Sequence, residues 1–214
     1  MTTSRKNSYP FIFSVITVII LIISYIFCID TFTWFLEVFP IIIALPILFF
    51  TYNTFPLTRL LYILLIIHFI ILAIGGIYTY AKVPLGFWIQ ELFNQSRNNY
   101  DKIGHFAQGF IPALLTRELL LRTSPLKQSK WLAFIIVSIC LAISAMYEII
   151  EWWTAVLQGA TAEAFLGTQG YEWDAQSDMF TALCGTIVAL ITLSKIHNKQ
   201  LNTLYYICKV SPRC

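Results

Sequence analysis

Charged side chains are scarce in this sequence. Asp, Glu, Lys and Arg make up 12% of its 214 residues and hydrophobic types 58%, whereas soluble domains carry roughly 25% charged residues. A soluble fold could not hide that much apolar surface. Paired cysteine motifs are missing too: Cys28, Cys140, Cys184, Cys208 and Cys214 show no CxxC spacing, so neither a disulfide framework nor a zinc site is expected. No glycine-rich phosphate loop is present either. Gly75 and Gly76 follow no strand and precede no GK[ST], and are expected to permit close helix contact. The basic residues form no aromatic-interleaved patch, which argues against a nucleic-acid partner.

What remains is apolar runs of membrane length. A span needs about 20 mainly apolar residues. Hydropathy marks spans near 10–29, 33–52, 58–79, 101–122, 131–153 and 174–195, the fourth being the least hydrophobic. The expected fold is therefore an all-α polytopic bundle of about six transmembrane helices, forming one integral membrane domain over 1–214. The run after Arg5 and Lys6 is long enough to span and has no small-x-small site behind it, so it reads as an uncleaved first helix. Pro40 and Pro46 should kink the second helix. The connection 81–100, with Pro84, Phe87 and Trp88, suits a stretch lying in the interface, and Trp88, Trp152, Trp153 and Trp173 suit an aromatic belt.

Eleven of the fourteen Lys and Arg residues fall on one side of this topology; Lys82, Arg97 and Lys102 fall on the other. Cytoplasmic connections are enriched in these residues, so both termini are expected in the cytoplasm. That orientation places the acidic residues at the outer face. In YDKIGHFAQGF, Asp101 and His105 are spaced i,i+4 and share a helix face that Gln108 continues. In YEIIEWW, Glu148 and Glu151 are spaced i,i+3, and in WDAQSDMF, Asp174 and Asp178 are again i,i+4. Glu37 lies about one turn inside the same face.

An ionised group in the bilayer costs at least several kcal/mol unless it is paired, hydrated or protonated. Crowded carboxylates must hold protons or recruit a cation. Oxygen ligands with one imidazole suit Mg²⁺, Ca²⁺ or Mn²⁺, and Zn²⁺ if few carboxylates converge. The expected ligands are Asp174, Asp178, Glu148, Glu151 and His105. For hydrolysis, His105, Asp101, Glu148 and Glu151 are the candidate acids and bases, Lys102 or a metal stabilises negative charge, and Gln176 orients a group.

Each residue also has a plainer reading. Charges at span ends are common, and Asp101 with Lys102 can be a simple interfacial pair. His68 reads as a hydrogen-bond donor in helix packing. Arg117 and Glu118 can reach the inner interface. Glu163 and Glu172 read as solvated. The connection 154–173 can fold over the acidic cluster as a lid, with Gly167 and Gly170 turning the backbone.

The runs FTWFLEVFPIIIALP, FPLTRLLY, GGIYTYAKVPLGFW, SRNNYDKIGHFAQGF, AISAMYEIIEWW and FLGTQGYEWDAQSDMF closely resemble the YjdF family of bacterial inner-membrane proteins over about residues 31–195. The resemblance implies a location and not a reaction. The Asp101, Lys102, His105 pattern, Glu148 with Glu151, and Asp174 or Asp178 before Gly185 are more distantly similar to VanZ-like membrane proteins, associated with glycopeptide resistance. Glu151 stands where that pattern prefers a Gln-like residue, and the arginine of its intervening loop is lacking, so no resistance role is implied.

The expected function is binding or metal-dependent hydrolysis of an amphiphilic envelope molecule such as a lipid-linked precursor. Cation- or proton-coupled transport and a non-catalytic membrane scaffold are the alternatives, and whether the protein is an enzyme stays open.

Overall fold

The computed structural model describes residues 9–158 and 168–210. Arg5, Lys6, Glu163, Gly167, Arg213 and Cys214 lie outside those ranges, as do the side chains of Cys208 and Lys209. The described residues form seven α-helices: α1 (Tyr9–Phe27), α2 (Thr31–Thr51), α3 (Arg59–Tyr78), α4 (Pro84–Leu92), α5 (Tyr100–Thr123), α6 (Lys130–Gln158) and α7 (Asp174–Val210). A 3-10 turn, Tyr80–Lys82, joins α3 to α4.

Local chemistry sets the boundaries. Asp30 caps α2 by accepting a bond from the Thr33 amide at 2.7 Å. Thr79, with φ 54°, breaks the helix after α3. Pro84, at the first helical position of α4, lacks the amide hydrogen that a helix start leaves unpaired. Pro40 and Pro46 lie inside α2, which runs unbroken through both.

Helices α1, α2, α3, α6 and α7 are long and apolar enough to cross a membrane. The fourth expected span, α5, has 24 residues but falls short in hydropathy. The reason lies in its surroundings. It packs on α3, α6 and α7, and half of its residues are buried, so it faces protein more than lipid and tolerates polar side chains. The last expected span stops at 195, whereas α7 continues to Val210, carrying polar residues beyond the apolar run.

Helices α5 and α7 form the most extensive interface and run in the same direction, as contacts from Arg97–Asp174 at one end to Arg117–His197 at the other show. Two glycines let them touch. A Cβ on Gly109 would stand 1.8 Å from the Ala182 carbonyl oxygen, and one on Gly185 would stand 2.2 Å from that of Phe106. The Thr186 hydroxyl donates across the seam to the Gly109 carbonyl at 3.1 Å. Phe13, Val38, Ile41, Leu61, Phe69, Leu114 and Ile136 fill the core. The outward faces are apolar, as helices in lipid require.

Candidate functional site

The starts of α5 and α7 and the far half of α6 bring the sequence-derived residues to one end of the bundle. Asp174 and Asp178, on one face of α7, turn toward Asp101 and Lys102 on α5. Lys102 Nζ lies 2.6 Å from Asp178 Oδ1, 3.0 Å from Asp174 Oδ1 and 3.6 Å from Asp101 Oδ2. Lys102 is therefore no isolated interfacial partner of Asp101; it is shared by three carboxylates. Asp101 Oδ1 also accepts the Lys102 amide at 2.8 Å, closing the first turn of α5.

Arg97, which the sequence marks only as one of three outer charges, completes this half of the site. Its Nη2 donates to Asp174 Oδ1 at 2.6 Å and to Asp101 Oδ2 at 3.4 Å, its Nε to Asn99 and its Nη1 to the Thr168 carbonyl. The Tyr171 ring covers it at 4.8 Å. The signal available was an arginine four residues before Asp101 on a face otherwise poor in cations. The expected lid meets this same arginine. Beside Thr168, Gln169 exchanges two hydrogen bonds with the Asn98 backbone, and Gly170 takes φ +80°.

His105 lies between the other carboxylates. Its Nε2 is 3.8 Å from Asp178 Oδ1 and its Nδ1 3.8 Å from Glu148 Oε1, distances too long for hydrogen bonds. Both His105 Nδ1 and Glu148 Oε1 are buried with no hydrogen-bond partner. Two sets of three side chains can thus converge on one ion: His105, Glu148 and Asp178, or Asp101, Asp174 and Asp178. Glu151 belongs to neither set among the described residues. It lines a cavity of about 160 Å³ just inward, together with Glu37, His68, Tyr80, Gln108 and Tyr147. Burial pushes the Tyr80 phenol well above its ordinary range.

Three other expectations change. His68 is buried, but its Nε2 has no partner, so it is not a packing donor; it faces the cavity. Gln176, expected to orient a group, is exposed, because it sits two residues off the face that carries Asp174 and Asp178. Glu118 and Arg117 do not reach the interface. Glu118 is fully buried and accepts bonds from the Thr58 hydroxyl at 2.8 Å, Arg122 at 2.8 Å and His197 Nε2 at 2.9 Å. Glu172 is exposed, as a solvated loop carboxylate should be, and Trp88, Trp152, Trp153 and Trp173 are exposed as a belt requires.

Comparison with known proteins agrees with this architecture. A family described as "Predicted membrane protein (DUF2238)" matches residues 9–199. The chain is 52% identical over 183 residues to the "Inner membrane protein YjdF" of Escherichia coli (strain K12), covering 86% of this chain and 88% of that protein. No solved structure matches. The VanZ-like similarity finds no support in these comparisons. A helical bundle of this kind, matched almost from end to end, belongs to the DUF2238 family of membrane proteins and is a multi-pass protein of the bacterial inner membrane.

Proposed function

We propose that this protein binds a divalent cation between His105, Glu148 and Asp178 and acts there on the polar headgroup of an amphiphilic envelope molecule. The single observation that carries the reading is the pair of buried, partnerless atoms, His105 Nδ1 and Glu148 Oε1, set 3.8 Å apart. A buried polar atom without a partner costs about 1–3 kcal/mol, so a ligand that satisfies both is favoured. One imidazole and two carboxylates fit Mn²⁺ or Zn²⁺, and Mg²⁺ or Ca²⁺ with added water oxygens.

The choice between the two ligand sets follows from charge. Asp101, Asp174 and Asp178 all have Arg97 or Lys102 as counter-ions, so the second set is already balanced at every member and the first only at Asp178. No Lys or Arg pairs with Glu148 among the described residues. The Arg97–Lys102–aspartate network is thus the scaffold that fixes Asp178, and on the His105–Glu148 side no Lys or Arg among the described residues balances the carboxylate. A divalent ion held there would polarise an ester or phosphoryl oxygen and acidify a bound water. With His105 held on the ion, the second carboxylate oxygen of Glu148 can accept a proton from a nucleophile, and Lys102, part-buried at 20% side-chain exposure, can screen negative charge forming beside Asp178. On the orientation expected from the basic residues, the site opens to the periplasmic face.

Elemental analysis of purified protein tests the proposal. Wild-type protein should carry bound divalent metal, and His105→Ala and Glu148→Gln should each lose most of it, since outer-shell changes alone cost 10–100-fold in affinity. Asp101→Asn should retain it. Absence of metal from the wild type after incubation with Mn²⁺, Zn²⁺ and Mg²⁺ would sink the reading.

A further inference from the structure

We infer that the cavity inward of this site receives the ammonium group of a lipid headgroup, entering sideways from the bilayer between α2 and α6. The inference rests on the headgroup chemistry proposed above and adds which headgroup and by which route.

Charge is the first argument. Glu37, Asp101, Glu151 and Asp178 line the cavity, and no Lys or Arg does. The neighbouring cations, Arg97 and Lys102, are held in ion pairs by Asp101, Asp174 and Asp178 and do not line it. Glu37 and Glu151 belong to neither ligand set and to no ion pair among the described residues, so an anionic headgroup meets repulsion from them, whereas an ammonium can pair with both.

Shape and acceptors make the second. The cavity holds about 160 Å³, well above the roughly 10–15 Å³ that one water needs, which leaves room for a small polar group. Tyr147 Oη and His68 Nε2 are buried without partners, and His68 is only 8% exposed. A tetrahedral ammonium can donate to several such acceptors at once, and the Tyr80 and Tyr147 rings on the wall add the π faces that favour it.

The route is the third. Helix α2 packs on α1 and α3, and α6 packs on α5 and α7, so the two flank the cavity without a packed interface between them. The rim there carries Pro40, Pro112 and the exposed Ile143. That apolar edge suits a tail lying along the helices.

Native mass spectrometry of the full-length protein offered equimolar phosphatidylethanolamine and phosphatidylglycerol tests this. The amine lipid should be retained about tenfold over the anionic one, the factor that one charge-assisted hydrogen bond supplies. The preference should vanish in Glu37→Gln/Glu151→Gln. Ile143→Trp and Tyr147→Phe, which leave every carboxylate in place, should weaken it and guard against loss through misfolding. Equal retention of both lipids, a preference that survives in all of these variants, or competition by free ethanolamine as effective as by the lipid would overturn the inference. Repeating the measurement in chelator separates it from the metal proposal: lipid preference without metal supports the cavity alone, and metal without lipid preference removes the cavity alone.

Discussion

Arg97 and Asp174 stand 77 residues apart in the chain and meet at 2.6 Å, which fastens the segment before α5 to the first residue of α7. Both side chains are about nine-tenths buried. Truncating one partner leaves the other charge buried and uncompensated, a loss of about 3–5 kcal/mol. Arg97→Ala should therefore lower the unfolding midpoint in detergent sharply. Arg97→Lys should recover only part, because an ammonium cannot reach Asp174, Asn99 and Thr168 together. In a double-mutant cycle, Asp174→Ala should cost much less on the Arg97→Ala background than alone; additive losses would show that the pair is not coupled.

A second polar cluster, at the opposite end of the bundle, predicts a stability effect without a metal effect. Arg117 Nη1 is 3.2 Å from His197 Nδ1, and a guanidinium can only donate. Nδ1 must then accept, which leaves Nε2 as the donor to Glu118 at 2.9 Å. Arg117 also donates to Asn198. Glu118→Ala should cost about 3–5 kcal/mol, since it strands Thr58, Arg122 and His197 together. Metal content should stay at the wild-type level. Loss of metal in a folded Glu118→Ala protein would mean the two ends are not independent.

The α5–α7 seam supplies a third expectation. Gly109→Ala forces its methyl to within 1.8 Å of the Ala182 carbonyl oxygen, a backbone atom that cannot swing aside. The helices must part, at a cost typical of overpacking, about 1–3 kcal/mol. Gly170→Ala meets nothing within 4 Å and strains only its own positive φ. Thermal melts of the two variants should show Gly109→Ala to be the less stable, and the opposite order would contradict the close approach.

How much of this was legible beforehand depends on the range of each interaction. Helix positions follow from local hydropathy, and the pairs Asp101/His105, Glu148/Glu151 and Asp174/Asp178 follow from helical spacing. Spacing names a face but not its direction, so Glu148 and Glu151 read alike, whereas only Glu148 stands opposite His105 and Glu151 faces the cavity. Glu118 meets His197 across 79 residues and Arg97 meets Asp174 across 77, and no local pattern encodes such partners. The buried charges of α5 also lowered its hydropathy, which is why the most enclosed of the long helices looked the least like a span.

The cap of α2 yields a pH prediction outside the membrane. Hydrogen bonds from Thr33, side chain and backbone, hold the Asp30 carboxyl below its ordinary value of 3.8. Well above that value the group is ionised in folded and unfolded chains alike, and its contribution to stability is present in full. As pH falls through 3.8 toward the lowered folded value, the unfolded chain takes up the proton first and the contribution is lost. Asp30→Ala should cost about 1 kcal/mol at neutral pH, with the difference from wild type shrinking below about pH 4. Asp30→Asn keeps an oxygen that can accept from the Thr33 amide but cannot titrate in this range, so it should stay close to wild type at neutral pH and become the more stable of the two in acid. Unfolding midpoints of the three proteins measured from pH 7 to pH 3 decide the matter. A wild-type advantage over Asp30→Ala that stays constant across that range would show that the carboxylate charge plays no part in the cap.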